Sequence, residues 1–201
     1  MPLLPLAGQV LLPGLPTAWL VSDPRYCAAI SDLLAQPPAQ RWLAFPRIAP
    51  GWECDDGCAP PLLPIVSAAR LVHVHALRDG AYHIVVVGDG RWHLDEQPSA
   101  RPYRVAQLVR LPDMPLDDAT VARVRAAVCR LVHRPAAIDD EIACLLDPEQ
   151  YSPSLVLDRL AALSLVDPDL RQRYLECGSI DERLQLIGGV DSSCGGLAAL
   201  N

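Results

Sequence analysis

The chain has 201 residues, of which 51% are hydrophobic and 20% are charged, and its formal net charge is −7. These values are typical of a folded globular protein, and the acidic balance disfavours broad contact with nucleic-acid phosphates or anionic lipid. All 17 basic residues are arginine. Within this chain, Schiff-base chemistry, serine–lysine hydrolysis and a phosphate-binding loop that needs lysine are therefore excluded.

The N-terminus and the cysteines bear on where the protein works. No basic residue precedes Arg25 and prolines interrupt the first apolar stretch, so we expect no signal peptide. No run of 18 apolar residues occurs, which argues against a transmembrane helix. The seven cysteines follow no disulfide-framework spacing, and reduced thiols are their simplest interpretation. Together these features predict a cytoplasmic protein.

Short strands and one helix are predicted near the N-terminus. Residues 10–12 and 17–21 have the composition of strands on either side of a Pro-Gly turn. Asp23 is a good N-cap and Pro24 a good first helical residue, so a helix should begin there and stop at Pro37.

More strands are predicted up to about residue 113. Their positions are 42–45, 67–77, 82–87, 91–94 and 103–111. Asp79-Gly80 is a hairpin-turn signal, and the glycines Gly88 and Gly90 indicate a bulge or a sharp bend. Several short strands with one early helix suit a small, partly closed barrel.

The strand at 67–77 alternates in polarity. Its pattern predicts Val72 and Val74 on one face, with Leu71, His73 and His75 on the other.

From residue 116 onward, apolar residues recur at helical spacing. The first two predicted helices carry apolar residues within 121–131 and 138–146. The third begins at residues 152–153 and the fourth at 167–168, each with a capping residue followed by proline.

The last predicted helix begins with a capping box. Ser179 and Glu182 have the required three-residue spacing. Gly188 and Gly189 should end this helix near Ile187, which would leave residues 191–201 as a loose tail.

The order of these signals resembles the Lon protease N-terminal domain family, the LON substrate-binding domain. That family opens with Leu-Pro-Leu-Phe-Pro-Leu, a Leu-Phe-Pro-Gly turn and a Glu-Pro-Arg-Tyr helix start. The residues that fall on this pattern are Leu3, Pro5, Leu6, Leu12, Pro13, Gly14, Pro16, Pro24, Arg25 and Tyr26. The chain departs from the pattern at Leu4, Ala7, Trp19 and Asp23.

The resemblance continues along the rest of the chain. The family has a hairpin, a Gly followed by an Arg-aromatic pair, and a Pro-Tyr before its last strand. The matching residues are Asp79, Gly80, Tyr82, Gly88, Arg91, Trp92, Pro102 and Tyr103. In the helical part the family's Leu-Leu, Asp and Arg-Leu pattern is echoed by Leu160, Leu163, Asp167, Gln172, Arg183 and Leu184.

The resemblance implies an α+β fold in two parts. Residues 1–113 would form a PUA-like β pseudo-barrel with one helix, residues 114–190 a helical bundle, and 191–201 a flexible tail. It implies a non-catalytic module that captures apolar segments of unfolded or tagged polypeptides. The module would work without the ATPase and Ser-Lys peptidase parts of a full Lon protease, and a protease or chaperone system is its candidate partner. No cofactor and no membrane contact are expected, and a weak homo-oligomer is left open.

The binding surface is expected in a groove between the first helix and the barrel strands, where apolar burial and edge-strand hydrogen bonds would hold a peptide. The candidate residues are Leu12, Leu15, Trp19, Arg25, Tyr26, Trp52 and Trp92. A structural role is the simpler interpretation for Arg25 and Tyr26, and a core position is the simpler one for Trp92. Trp52 lies in a Pro-Gly loop and should be exposed.

Two further interpretations stay open at this stage. One is an adaptor for one specific folded partner, which would bind a single partner saturably at 1:1 instead of many weak clients. RNA binding is known for other PUA-like folds, and Arg101, Arg104 and Arg110 could form a basic strip, although the acidic balance argues against it.

One weak metal candidate is present. Cys54 and Cys58, with His73 and His75 on a strand, could supply the four ligands of a tetrahedral zinc site. The cysteines lack the usual two-residue spacing, so free thiols and an exposed histidine pair are the simpler interpretation, and a Cys54–Cys58 disulfide would need an oxidising setting. No Gly-x-Ser-x-Gly elbow points to a hydrolase.

Overall fold

The computed structural model describes residues 1–52, 59–112, 117–132 and 150–194. The chain divides into two compact units, Met1–Leu111 and Pro112–Asn201. The elements of the first unit are β1 (Pro16–Val21), α1 (Pro24–Leu34), a 3₁₀ turn (Pro38–Gln40), β2 (Trp42–Phe45), β3 (Ile65–Ala76), β4 (Tyr82–Gln97) and β5 (Val105–Arg110). The second unit contains helices, so the predicted mixed α+β class is confirmed.

The five strands form one antiparallel sheet. Its order is β1-β4-β3-β2, and β5 pairs with the second half of β4. The N-terminal segment bridges Pro2 to Val105 on β5 and Leu3 to Ala44 on β2. The sheet therefore curls until its β2 side and β5 come within reach of the same short segment.

The strand predicted at residues 10–12 does not form. Val10, Leu11 and Leu12 are buried but lie outside any strand. Gly14 N donates to Gly88 O at 3.0 Å and holds this segment against β4. The apolar run reflects the burial of an irregular segment, which composition alone does not distinguish from a buried strand.

A bulge bends β4, and the strand predicted at 82–87 continues past it through 91–94, as predicted. Between the pairs Val66–Trp92 and Ala68–Asp89, β4 has one residue more than β3. Gly90 lies there with a φ of +65°, a conformation that favours glycine. The predicted bulge is confirmed.

A second bulge, on β3, corrects the predicted alternation. Leu71 pairs with Val86 and His73 with Val85, so Val72 is an extra residue. Leu71 and Val74 both pack in the core, whereas Val72 is exposed. The prediction that Val72 and Val74 share a face is wrong, because one inserted residue shifts the two-residue period.

Helix α1 begins as predicted and ends at Leu34, three residues before Pro37. Asp23 accepts a hydrogen bond from Arg25 N at 2.8 Å, which satisfies an otherwise unpaired helix N–H. At the other end, Arg41 donates to Leu34 O and Gln36 O at 3.1 and 2.9 Å. The core-facing residues Ala29, Ile30 and Leu33 pack α1 on the sheet.

In the second unit, the described helices are α2 (Asp118–Val132), α3 (Pro153–Ser164), α4 (Pro168–Glu176) and α5 (Ile180–Cys194). The predicted caps Ser152 and Asp167 each accept a backbone hydrogen bond. The helix predicted at 138–146 lies outside the described residues. Helix α2 contacts α3 and α5, and α5 also contacts α3 and α4.

The predicted end of the last helix is wrong. Ser179 Oγ accepts from Glu182 N at 3.1 Å, as the capping box requires. However, α5 continues through Gly188 and Gly189 to Cys194, so residues 191–194 are helical. Glycine within a helix costs about 1 kcal/mol, which the rest of the helix can offset, and a glycine that caps a helix commonly adopts a left-handed conformation, which Gly188 does not.

The second unit buries a polar network in its core. The Tyr174 hydroxyl donates to Asp158 at 2.7 Å, and Arg183 lies 3.9 Å from the same carboxylate. All three residues are buried. Burial, with Asp158 beside it, raises the pKa of Tyr174 well above its usual value.

Candidate functional site

A cavity of about 170 Å³ lies where the N-terminal segment, the end of β1, the start of α1 and β2 meet. We call it the seam cavity. Its lining residues are Leu4, Pro5, Leu6, Trp19, Leu20, Val21, Ser22, Asp23, Tyr26 and Phe45. The lining is mainly apolar, so it suits an apolar group.

Trp19 forms one wall of the seam cavity. Its indole stacks on Phe45, with ring centroids 5.9 Å apart. Its Nε1 is buried and has no hydrogen-bond partner within the described part of the chain. An unpaired buried donor costs about 1–3 kcal/mol, so packing must hold the indole in place.

The first turn of α1 forms the polar rim of the cavity. Arg25 Nη2 donates to Asp23 Oδ2 at 2.7 Å, and the Arg25 guanidinium lies 5.2 Å from the Tyr26 ring centroid. The hydrogen bond from the Arg25 side chain is the main reason that the pKa of Asp23 is lowered. These contacts support structural roles for Asp23 and Arg25, while Tyr26 lines the cavity itself.

Strand β1 presents apolar side chains on both of its faces. Residues Thr17, Trp19 and Val21 are more buried than their neighbours, while Ala18 and Leu20 are exposed. Leu20 is 64% exposed and reaches the cavity rim. Leu20 therefore adds exposed apolar surface next to the apolar lining of the cavity.

Of the seven predicted binding residues, the structure places Trp19 and Tyr26 in the cavity and Arg25 beside them. Leu12 is 3% exposed and belongs to the core, which corrects its place among surface candidates. Leu15 is half-buried and Trp52 is 47% exposed, but neither lines the cavity.

Trp92 also lies apart from the seam cavity. It is half-buried, packs against a second core cluster, and donates Nε1 to Asp89 O at 2.6 Å. The Arg110 guanidinium lies 5.4 Å from its ring centroid. These contacts give Trp92 a structural place on β4.

The sequence did not indicate Leu4, Leu6, Leu20 or Phe45 as site residues. Leu20 could have been found from the sequence, because β1 contains no charged residue and an apolar side chain therefore lies on its solvent-facing side. Leu4, Leu6 and Phe45 carry none, since the curl of the sheet is what brings them to β1.

The proposed zinc ligands are only partly described. His73 and His75 are exposed on β3, and Cys54 and Cys58 lie outside the described residues. Among residues 1–52, 59–112, 117–132 and 150–194, no group of three or more His, Cys, Asp or Glu could hold a metal ion.

A wider cavity of about 540 Å³ lies at the C-terminal end of α1. Arg101 donates to Asp32 and to the Tyr103 hydroxyl, and that hydroxyl donates to Asp32 at 2.6 Å. Burial, followed by the bond to Asp32, raises the pKa of Tyr103. Trp42 and Leu33 also line this cavity. Its polar groups bond mainly to one another.

The three arginines that could form a basic strip each form an ion pair with a carboxylate. Arg101 pairs with Asp32, Arg104 with Glu96 and Arg110 with Asp89. A phosphate backbone would have to compete with these carboxylates. In the part of the chain that is described, no helix is long and apolar enough to span a bilayer.

Comparison with known proteins assigns the chain to a family. A profile of the ATP-dependent protease La (LON) substrate-binding domain matches residues 1–189. Lon protease 2 of Sorangium cellulosum is 26% identical over 196 residues, which cover 92% of this chain and 24% of that protein. Lon protease of Roseiflexus castenholzii is 26% identical over 192 residues, which cover 93% of this chain and 23% of that protein. The chain spans about a quarter of these relatives' length.

Solved structures give the same fold. The N-terminal domain of Mycobacterium avium complex Lon protease superposes with a TM-score of 0.70 at 19% identity, covering 95% of this chain and 97% of that one. A Lon N-terminal domain protein from Xanthomonas campestris superposes with a TM-score of 0.62 at 19% identity, covering 94% of this chain and 96% of that one. The profile is that of a non-catalytic domain, and the ATPase and protease parts are absent from the match. The chain belongs to the LON substrate-binding domain family.

Proposed function

We propose that this chain is a non-catalytic polypeptide-binding module that captures apolar segments of unfolded or tagged proteins. Membership of a family named for substrate binding supports protein substrates in general. The finer claim, capture of apolar segments, depends on one observation: the apolar seam cavity opens beside an exposed leucine on β1. Burying about 100 Å² of apolar client surface there would contribute roughly 2.5 kcal/mol.

The fold we propose for this role is a PUA-like pseudo-barrel followed by a helical bundle. The N-terminal segment that bridges β2 and β5 supports the first part. The mutual contacts of α2, α3, α4 and α5 support the second. The module would act in the cytoplasm, beside a protease or chaperone system, and could associate weakly with itself.

Apolar capture is favoured over RNA binding because Arg101, Arg104 and Arg110 each have a carboxylate partner. Binding driven by apolar burial should change little with salt, whereas RNA binding should weaken steeply. An adaptor for one folded protein would use the same cavity but would not bind an arbitrary unfolded chain.

The test is a fluorescence-anisotropy titration against a labelled, permanently unfolded polypeptide, with RNA as competitor. We expect saturable micromolar binding that RNA does not displace. Leu20→Ser should weaken binding about 5- to 10-fold because it removes an exposed apolar side chain beside the cavity, which a client lying along β1 would cover. Val109→Ser is the matched control, since Val109 is also an exposed apolar strand residue, at 57%, and does not line the cavity.

The outcomes separate the interpretations. Absence of binding to the unfolded polypeptide would overturn general client capture and leave a dedicated partner. Displacement by RNA, lost at high salt, would favour the RNA interpretation. Equal weakening by Leu20→Ser and Val109→Ser would remove the seam cavity as the site. Weakening by Trp52→Ala would extend the surface to the loop that follows β2.

A further inference from the structure

Strand β1 has one paired edge and one open edge. Across the β3–β4 hairpin, Leu77 N donates to Ala81 O at 2.8 Å, so the odd-numbered residues at this end of β4 direct their backbone groups to β3. The even-numbered residues therefore face β1. The register pairs them with Thr17, Trp19 and Val21, whose N–H and C=O groups are used in the sheet.

The open edge consists of the other residues of β1. Ala18 and Leu20 direct their N–H and C=O groups away from β4, and nothing within the described residues hydrogen-bonds to them. The two positions are about 6.8 Å apart along the strand and together offer two donors and two acceptors. Strand β1 has no charged residue to protect this edge from pairing.

The seam cavity lies on the core face of the same edge. Trp19 and Val21, whose side chains point to the core, form part of its lining. A strand added beside β1 would direct alternate side chains to that face, and one of them would enter the cavity. The volume of about 170 Å³ fits a single group of phenyl size, since an apolar cavity of about 150 Å³ binds benzene.

We propose that an unfolded client segment adds to β1 as an antiparallel strand, pairs with Ala18 and Leu20, and inserts one apolar side chain into the seam cavity. This rests on the proposed function and specifies how the client is recognised. Backbone pairing accepts many sequences, and the cavity requires an apolar residue at one position. Proline is excluded where the client must donate an N–H.

A second copy of this chain is a poorer occupant of the same edge. Its own β1 could pair with Ala18 and Leu20. Its core-facing residues Thr17, Trp19 and Val21, however, are turned into its own fold. Such a pair would leave the seam cavity empty, whereas an unfolded segment has both faces free.

Strand geometry makes the test specific. Opposed residues of an antiparallel pair direct their side chains to the same face. Client residues that bond to Ala18 and Leu20 therefore point their side chains to solvent. The client residue whose side chain enters the cavity turns its own N–H away from β1. Backbone N-methylation should therefore matter at alternate positions.

The probe is a fluorescein-labelled nine-residue peptide of alternating Thr and Val with a central Phe, titrated by anisotropy against the full chain. N-methylation of either neighbour of the Phe should raise Kd about 3- to 10-fold, the loss of one hydrogen bond, while N-methylation of the Phe should change it less than about 2-fold. Replacing the Phe by Ala should raise Kd about 10-fold or more. Ala18→Pro removes an outward N–H without breaking a bond to β4, and should weaken binding as the neighbour methylations do.

Equal tolerance of N-methylation at all three positions, with the parent peptide still bound, would overturn strand addition and leave the proposed function intact. Failure of both the parent peptide and the unfolded polypeptide to bind would overturn the proposed function itself. Sedimentation velocity adds a third outcome: a dimer that Ala18→Pro abolishes, with no peptide bound by the parent chain, would assign the β1 edge to a second copy and overturn the proposal. If Ala18→Pro fails to fold, the N-methylated peptides still test strand addition, because they are titrated against the unmodified chain.

Discussion

The indole of Trp19 stacks on the ring of Phe45, with centroids 5.9 Å apart and an angle of 22° between the ring planes. Trp19 lies on β1 and Phe45 on β2, at opposite ends of the strand order β1-β4-β3-β2. A flat sheet would keep these strands far apart, so the stack depends on the curl of the sheet. The contact joins β1 to β2 across the curled sheet, and both rings line the seam cavity.

Two substitutions of Trp19 should separate packing from hydrogen bonding. Trp19→Ala should lower the free energy of unfolding by about 2–4 kcal/mol, because it removes the stack on Phe45. Trp19→Phe should cost within about 1 kcal/mol, because it keeps a ring and removes the buried, unpaired Nε1–H. Urea unfolding followed by circular dichroism measures both. Equal losses would contradict the absence of a partner for Nε1.

Asp23 should make stability depend on acidity. Hydrogen bonding from Arg25 lowers the pKa of Asp23 in the folded state below 3.8, so its stabilising effect is present above the unfolded pKa and is lost as pH falls through the lowered folded pKa. Asp23→Asn keeps a capping side chain but has no charge. Its destabilisation relative to the parent should be larger at pH 7 than at pH 3, as read from urea midpoints. At pH 3, Asp23→Ala should lower the free energy of unfolding by about 1 kcal/mol more than Asp23→Asn does, because alanine also loses the N-cap hydrogen bond.

Tyr174 should make stability depend on alkalinity. Its folded pKa is raised well above 10.0, mainly by burial, so its contribution is complete below the unfolded pKa and is lost as pH rises through the folded pKa. Tyr174→Phe should lower the free energy of unfolding by about 1.5–3 kcal/mol at pH 7, because Asp158 loses a hydrogen bond. Urea unfolding between pH 8 and pH 11 should show a shallower decline for the variant. An unchanged slope would refute the assignment to Tyr174.

Gly88 should be intolerant of a side chain. A Cβ there would lie 2.8 Å from Leu12 O and 3.0 Å from Pro13 Cα, both backbone atoms. Gly88→Ala should therefore lower the free energy of unfolding by about 1–3 kcal/mol, through displacement of the buried segment before β1. Gly178→Ala is the control: a Cβ there meets nothing within 4 Å, and the change should stay within about 1 kcal/mol. Thermal unfolding of both variants compares them, and similar melting temperatures would count against the close approach.

The sequence by itself determined the local features of this protein. Asp23-Pro24 marks the start of α1, Asp79-Gly80 the β3–β4 hairpin, and the bounds of β2 agree with the residues predicted. Each depends on the restricted backbone of proline or glycine, or on a short polar side chain that bonds within three residues. The order of these signals along the chain was sufficient to indicate the family.

Only the tertiary structure decided the site. Asp32 and Tyr103, which share a hydrogen bond at one end of α1, are 71 residues apart. At the other end, Leu4 and Phe45 reach Trp19 because the sheet curls, and the insertion of Val72 keeps both Leu71 and Val74 in the core. Such placements follow from the joint packing of the whole core. No local pattern specifies them, because each residue's position depends on partners that the sequence places far away.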